Sequence, residues 1–404
     1  MTFNFDQEVD RIGTYSVKWE FVSVGDESIY SDAAHAKYGD RRLLPLWVAD
    51  MDFQSPPAVI DALGKRVAHG IFGYTKPTDS YFETVIDWIS RRYGYAVEKE
   101  WIELSPGVVP ALHMLVETFL QPGEKVLIQR PVYYPFFSAV ENNGCEIVSN
   151  SLVYENGRYH IDFDDLAQKA ADPAVKMAIL CSPHNPVGRV WTREELTCFA
   201  EICMANDVLI VSDEIHCDLI VNGHTFTSLA TISEQLFQNS IICTAPSKTF
   251  NLAGLKTSNI IIPNREKREA FHAKMNSHGV YGANVFGPIA AEAAYNHGEP
   301  WLEEVLAYIE ENYHFLKSYL AENLPQLKVI PLEGTYLVWV DCRTLGLDSK
   351  SRKELMMECA KVYLDEGELF GPEGEGFERF NLACPRSILA EALERIKTAV
   401  STIR

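Results

Sequence analysis

Six short, continuously apolar runs set between longer amphipathic stretches constrain this chain more than any other feature. They are Lys125-Val-Leu-Ile, Glu146-Ile-Val-Ser, Met177-Ala-Ile-Leu-Cys, Val208-Leu-Ile-Val-Ser, Ile241-Ile-Cys-Thr and Asn259-Ile-Ile-Ile. A strand with one wet face alternates apolar and polar residues, whereas a run without alternation is buried on both faces. The stretches between them carry helical patterns. The clearest starts at Thr192, where Thr192 and Glu195 have the spacing of a capping box. This alternation predicts an α/β fold with a mostly parallel central sheet covered on both sides. In open parallel sheets, ligands gather at the carboxyl ends of the strands. Three polar residues follow predicted strands there: Asn185 in Ser-Pro-His-Asn-Pro-Val-Gly (182–188), Asp213 in Leu-Ile-Val-Ser-Asp-Glu-Ile-His (209–216), and Lys248 in Ser-Lys-Thr-Phe-Asn-Leu-Ala-Gly (247–254).

The pattern changes near Pro300. A long amphipathic helix is expected over 301–323, then an apolar strand at Gly334-Thr-Tyr-Leu-Val-Trp-Val, then a helix over 351–365. A glycine-rich turn from Gly371 to Gly376 leads to Arg379 in Glu-Arg-Phe-Asn-Leu-Ala-Cys-Pro-Arg (378–386). These elements read as a second, smaller α+β domain.

Composition excludes several function classes. The 404 residues suffice for a large domain and a smaller one, and contents of 47% hydrophobic and 23% charged residues are ordinary for a soluble globular protein. A formal charge of −20 leaves no basic stripe for phosphates, so nucleic acid is not an expected partner. The nine cysteines are scattered, with no Cys-x-x-Cys, and Cys181 and Cys243 lie inside apolar runs. Reduced thiols of a cytoplasmic protein fit this better than disulfides or a zinc site. The N-terminus lacks the basic and apolar regions of a signal peptide. No apolar run approaches the roughly 18 residues of a membrane span, so a membrane is not an expected partner either.

Asn185, Asp213, Lys248 and Arg379, in this order and in these motifs, resemble the site of fold-type I pyridoxal phosphate (PLP) enzymes, the aminotransferase class I/II superfamily. The resemblance implies a role for each. Lys248 forms the Schiff base and moves protons. Asp213 keeps the pyridine nitrogen protonated, so that the ring can act as an electron sink. Asn185 donates to the phenolic oxygen and lies near the substrate. Arg379 matches the substrate α-carboxylate with its planar fork. Ser105-Pro-Gly-Val-Val-Pro-Ala-Leu enters a helix at about Val109, and a helix N-terminus offers free N–H groups to an anion. The resemblance places the backbone of Val108 and Val109 on the phosphate, with Lys256 as its cationic anchor. Ser247 and Thr244 could add hydroxyls, although the family's usual small hydroxyl position is Ala245 here. Tyr133 matches the residue whose ring stacks on the cofactor, with a catalytic role.

Three further segments narrow the resemblance: Trp47-Val-Ala-Asp-Met-Asp-Phe, Gly70-Ile-Phe-Gly-Tyr-Thr and Asp213-Glu-Ile-His-Cys-Asp. Together they resemble MalY/PatB-type cystathionine β-lyases, or C–S lyases, from about residue 40 to the C-terminus. His216 stands where many aminotransferases carry tyrosine. The resemblance implies that His216 lies near the cofactor and that Ala49 and Tyr74 contact substrate. It also implies that Tyr74 reaches the phosphate of the neighbouring subunit of a homodimer. It places residues 1–50 with the small domain, 51–298 in the large PLP-binding domain and 299–404 in the small C-terminal domain. The expected activity is β-elimination from L-cystathionine or another cysteine S-conjugate, giving thiol, pyruvate and ammonia. The alternatives are an aminotransferase with the same cofactor site, and a regulatory protein that binds a transcription factor, as some MalY-type lyases do.

Overall fold

A computed structural model describes residues 2–24, 27–30 and 43–403. Part of the N-terminal segment assigned to the small domain, residues 25, 26 and 31–42, therefore lies outside the described residues, as do the first positions of the family resemblance.

The six apolar runs and a seventh strand form one seven-stranded sheet. Its order is Ile102–Ser105, Ser258–Ile261, Ser240–Thr244, Leu209–Asp213, Val175–Cys181, Lys125–Ile128 and Glu146–Ser149. Only Ser258–Ile261 runs against its neighbours. Alternate side chains of these strands enter two separate cores. Leu127, Ala178, Leu180, Ile210 and Ile242 pack on one side, and Val126, Ile128, Met177, Ile179, Val211 and Ile241 on the other. Two dry faces explain why the runs are apolar throughout rather than alternating. The expected mostly parallel α/β sheet is borne out. Glu146–Ser149 is the exception to the buried pattern, because it is an edge strand and stays partly exposed.

Helices cover both faces. Val108–Phe119, Pro135–Glu141 and Arg265–Ser277 bury their apolar sides in one core, and Asp79–Tyr93, Phe163–Ala170, Arg193–Ala205 and Gly287–His297 in the other. The Arg193–Ala205 helix begins with the expected capping box of Thr192 and Glu195.

The C-terminal part holds a four-stranded antiparallel sheet of order Lys328–Val329, Leu337–Asp341, Phe377–Asn381, Asp365–Glu366. Helix Glu299–Asn323 starts two residues earlier than expected, with Pro300 in its first turn, where a missing N–H costs nothing. The helix expected over 351–365 is shorter. It runs as Ser349–Glu354, widens into a π-turn over Leu355–Ala360, and stops. Val362–Tyr363 instead pairs in parallel with Leu44–Pro45, and Asp365 joins the small sheet. Pairing with distant strands overrides the local helical pattern there.

Candidate active site

The carboxyl edge of the large sheet gathers the polar residues. The register sets Asp213 level with Cys181 on one neighbouring strand and Cys243 on the other. Parallel strands that end together deliver their following loops to one edge, which brings Asn185, Asp213 and Lys248 around a single cavity. The cavity is about 150 Å³, and Ala49, Val108, Val109, Tyr133, His216, Ser247 and Lys256 also line it. Arg379 and Tyr74 do not. The Tyr74 side chain is fully exposed.

Asp213 is buried and accepts one hydrogen bond, from the Ile215 N–H at 3.1 Å. It has no ion pair among the described residues. Burial, opposed by the Ile215 N–H and the charge of Lys248, pushes its pKa up to about 7. A carboxylate held this way favours a cationic partner.

Lys248 lies on the short helix Pro246–Thr249 and donates to the Ala49 carbonyl at 2.7 Å. Burial pulls its pKa down to about 8. Asp50 and Asp213 oppose the shift, and Arg379 and Lys256 reinforce it. A lysine so depressed is about one-tenth neutral at pH 7, far more than an ordinary lysine, as a nucleophile or base requires.

His216 is buried with Nδ1 unpartnered, and its ring stands edge-on to Tyr336 at 6.1 Å between centroids. Burial and the charges of Lys248 and Arg379 hold it well below the usual histidine pKa, so the ring is neutral. Tyr133 gives its backbone N–H to the Asn185 carbonyl at 3.1 Å, and burial raises its hydroxyl above the ordinary tyrosine pKa, keeping it protonated.

The helix Val108–Phe119 opens on the cavity through Gly107, where a Cβ would meet Pro110 Cδ at 3.3 Å. The first N–H groups of this helix have no carbonyl to bond within it. Lys256 sits in a left-handed conformation just after a short turn, and Ser247 and Thr257 add hydroxyls to the same wall. Thr244 does not. Its hydroxyl is buried and unpartnered beside a separate small void with Trp88, Tyr93 and Asp218. It therefore offers nothing to an anion in the cavity, and Thr257 is a hydroxyl the sequence reading passed over.

Arg379 approaches from the small sheet. Its Nη1 donates to Asn185 Oδ1 at 3.0 Å and its Nη2 to the Trp47 carbonyl at 2.8 Å. Nη2 also pairs with Asp365, which lies directly opposite across the strand pair. Nε is buried without a partner, and the guanidinium lies over the Phe370 ring at 4.9 Å. Asp365 is not among the expected site residues. It falls inside the segment expected to be helical, and only the strand pairing places it opposite the arginine.

A sequence model of the aminotransferase class I and II family matches residues 41–396. The chain is 45% identical over 398 residues to cystathionine β-lyase PatB of Bacillus subtilis (strain 168), covering 98% of this chain and 100% of that protein. It belongs to the aminotransferase class I and II family, in the MalY/PatB group. Protein MalY of Escherichia coli (strain K12) is 30% identical over the full length of both chains. Among solved structures, cystalysin from Treponema denticola, which contains pyridoxal 5′-phosphate, is similar with a TM-score of 0.94 and 39% identity, covering 100% of each chain.

The cavity fits the cofactor of that group. Asp213 is a buried acid lacking a cation, as a protonated pyridine nitrogen would require. Lys248 is an amine of lowered proton affinity beside it. The helix N-terminus and Lys256 form an anion seat on the same wall, and a neutral His216 leaves a ring nitrogen free. Among the described residues no cluster could hold a metal ion, and no helix is long and apolar enough to cross a membrane.

Proposed function

We propose that this chain is a PLP-dependent carbon–sulfur lyase that performs β-elimination on L-cystathionine or another S-substituted cysteine. The products are a thiol, pyruvate and ammonia. The observation that carries this reading is the pairing, in one cavity, of the amine Lys248 with the cation-deficient acid Asp213, in a chain nearly half identical to a cystathionine β-lyase.

Bound in the cavity, pyridoxal phosphate supplies an electron sink for the substrate's α-carbanion. The chain does the rest. Val108 and Val109 would give backbone N–H groups to the phosphate, Lys256 and Ser247 would complete its seat, and Tyr133 would lie against the ring. Asp213 would hold the proton on the pyridine nitrogen, and Asn185 would donate to the phenolic oxygen. Arg379 presents Nε and its neighbouring N–H groups to the α-carboxylate, and Ala49 borders the substrate. Lys248 removes the α-proton from a position already within reach, which is where much of the acceleration arises. His216, neutral, fills the position beside the cofactor without adding a charge.

The chain is organised as a large domain over 51–298 and a small domain formed by 1–50 and 299–404. The pairing of Leu44–Pro45 with Val362–Tyr363 supports the return of the N-terminal segment. It acts as a cytoplasmic homodimer in which Tyr74 serves the partner's site. In support, Tyr74 stands exposed with Ile71, Phe72 and Tyr281, an apolar group suited to burial against a second copy. The nine cysteines are all unpaired, as a reducing compartment would keep them.

The test is a substrate panel. S-substituted cysteines should yield thiol, pyruvate and ammonia in equal amounts without a keto acid. Aspartate, phenylalanine and alanine with 2-oxoglutarate should yield glutamate at least ~100-fold more slowly, a difference of only ~2.7 kcal/mol between barriers. Faster glutamate formation would replace the lyase reading with the aminotransferase one.

A further inference from the structure

The segment from Leu46 to Met51 borders the cavity at Ala49, and its carbonyls are held one after another by side chains and backbone of other elements. Leu46 O accepts from the Asn381 N–H at 2.9 Å and Trp47 O from Arg379 Nη2 at 2.8 Å. Val48 O and Asp50 O both accept from Asn381 Nδ2, each at 2.7 Å. Met51 O accepts from Asn251 Nδ2 at 2.9 Å. One buried amide thus straddles Ala49 and grips the carbonyls on either side of it. Its own oxygen is taken by the Ala383 N–H at 2.8 Å, so the amide cannot flip. The Ala49 carbonyl, fixed in this way, receives two donors: Lys248 Nζ at 2.7 Å and the Tyr336 hydroxyl at 2.9 Å. Both lone pairs of that oxygen are used.

We propose that Asn381 and Tyr336 are positioning residues that hold the Ala49 carbonyl as the resting acceptor of the free Lys248 amine. The inference rests on Lys248 being the lysine that bears the cofactor and moves the α-proton. Such a lysine must have a defined place whenever it is not bonded to the cofactor, and a flexible four-carbon stem has none unless an acceptor supplies it. The same strap gives its Trp47 carbonyl to Arg379, so the carboxylate clamp and the base are registered to one rigid stretch of backbone.

The two residues act with opposite sign. A carbonyl accepts a stronger hydrogen bond from an ammonium than from a neutral amine, so the Ala49 oxygen favours the charged lysine. The Tyr336 hydroxyl draws on the same oxygen and weakens that preference. Asn381 keeps the oxygen in place and so maintains it. The other groups facing Lys248 are the acids Asp50 and Asp213, the cations Arg379 and Lys256, and the neutral His216. Neither substitution below removes any of these.

The experiment measures acylation of Lys248 by acetic anhydride in the full-length, cofactor-stripped chain, by peptide mass spectrometry between pH 6 and 10. Tyr336→Phe should slow labelling at pH 7 roughly threefold and move the midpoint up, because the carbonyl turns wholly to the ammonium. Asn381→Ala should speed labelling and move the midpoint down. A general loosening of the site would shift both variants the same way, and that result, or no shift in either, overturns the proposal. If Asn381→Ala does not fold, Tyr336→Phe decides alone, and an unchanged midpoint is fatal. The underlying role of Lys248 is checked separately. A Lys248→Ala chain that still fixes the cofactor with visible absorbance would refute that role, whatever the labelling shows.

Discussion

Glu378 and Asp213 are both buried acids on strands, one in the small sheet and one at the edge of the large sheet, and the chain treats them differently. Glu378 accepts from Arg352 Nε at 2.7 Å, with both side chains about 1% exposed, and Arg352 also holds Glu368. Burial pushes the Glu378 carboxyl up to about 8, with the guanidinium pulling against the shift. Asp213 is equally buried and has only the Ile215 N–H and the more distant charge of Lys248 to offset the loss of water. Both environments perturb a pKa, so perturbation alone does not mark a working site. The list of partners does: the small sheet supplies its acid with a cation from within the chain, and the large sheet leaves that place open for a ligand.

The largest effect that could break this comparison comes from neutralising each region in turn. Asp213→Asn should cost several powers of ten in turnover while leaving the melting temperature unchanged or higher, since it removes an uncompensated buried charge. Arg352→Met should do the reverse. It strands Glu378, and breaking a buried pair by removing one partner costs about 3–5 kcal/mol of stability, with little change in rate per folded molecule. Paired kinetics and melting curves check both. An Asp213→Asn enzyme within tenfold of wild type would show that Asp213 does not face the cofactor nitrogen.

Arg379 stands between the two regimes, and a smaller effect should reveal it. It is ion-paired with Asp365, as a structural arginine would be, yet its Nε is left buried and unpartnered, as a ligand site would be. Arg379→Lys keeps a positive charge near Asp365 but loses the planar fork. KM should therefore rise about 10- to 100-fold, the scale of one or two charge-assisted hydrogen bonds. A fall in kcat alone, with KM unchanged, would assign Arg379 to structure and to Asp365 rather than to the substrate.

The same contrast explains what was legible in the sequence. The large sheet could be read because burial on two faces writes itself into contiguous apolar residues, and Asn185, Asp213 and Lys248 stand a few residues beyond such runs. Their convergence follows from parallel register alone. Thr244 misled because side chains on a strand alternate, so a hydroxyl near the right strand end still faces away from the cavity. Asp365, Tyr336 and Asn381 could not be placed. Tyr336 and Asn381 meet the site through the backbone of residues 46–51, far away in the chain, and Asp365 meets it through a strand pairing with Arg379 in a segment whose local pattern reads as helix. The helix expected over 351–365 failed for the same reason, since Leu44–Pro45 captures Val362–Tyr363. Local periodicity carries no record of that capture.

The smallest effect is a pH dependence of stability that replacing Asp213 isolates, because Glu214 and Glu378, raised to about 7 and about 8, are kept in both chains. In the unfolded chain Asp213 releases its proton near the ordinary value of 3.8, and in the folded, cofactor-free chain it does so near 7. Between those values the native state binds more protons than the unfolded state, so stability falls as pH rises through this window. A shift of three units would set an upper bound of ~4 kcal/mol, and relaxation of a real interior should leave about 1 kcal/mol. Lys248 does not confuse the measurement. Its pKa of about 8 against 10.5 acts above the window, where stability should rise with pH as the native chain sheds its proton first. The stability of Asp213→Asn minus that of wild type should therefore be near zero at pH 4 and grow towards pH 7, as measured by denaturant unfolding of cofactor-free chains. Loading the cofactor should flatten the difference, because a pyridinium beside Asp213 returns its pKa towards the ordinary carboxylate range. A difference that is already flat in the cofactor-free chain would mean that Asp213 is compensated from within the chain, and the contrast between the two regions would fall.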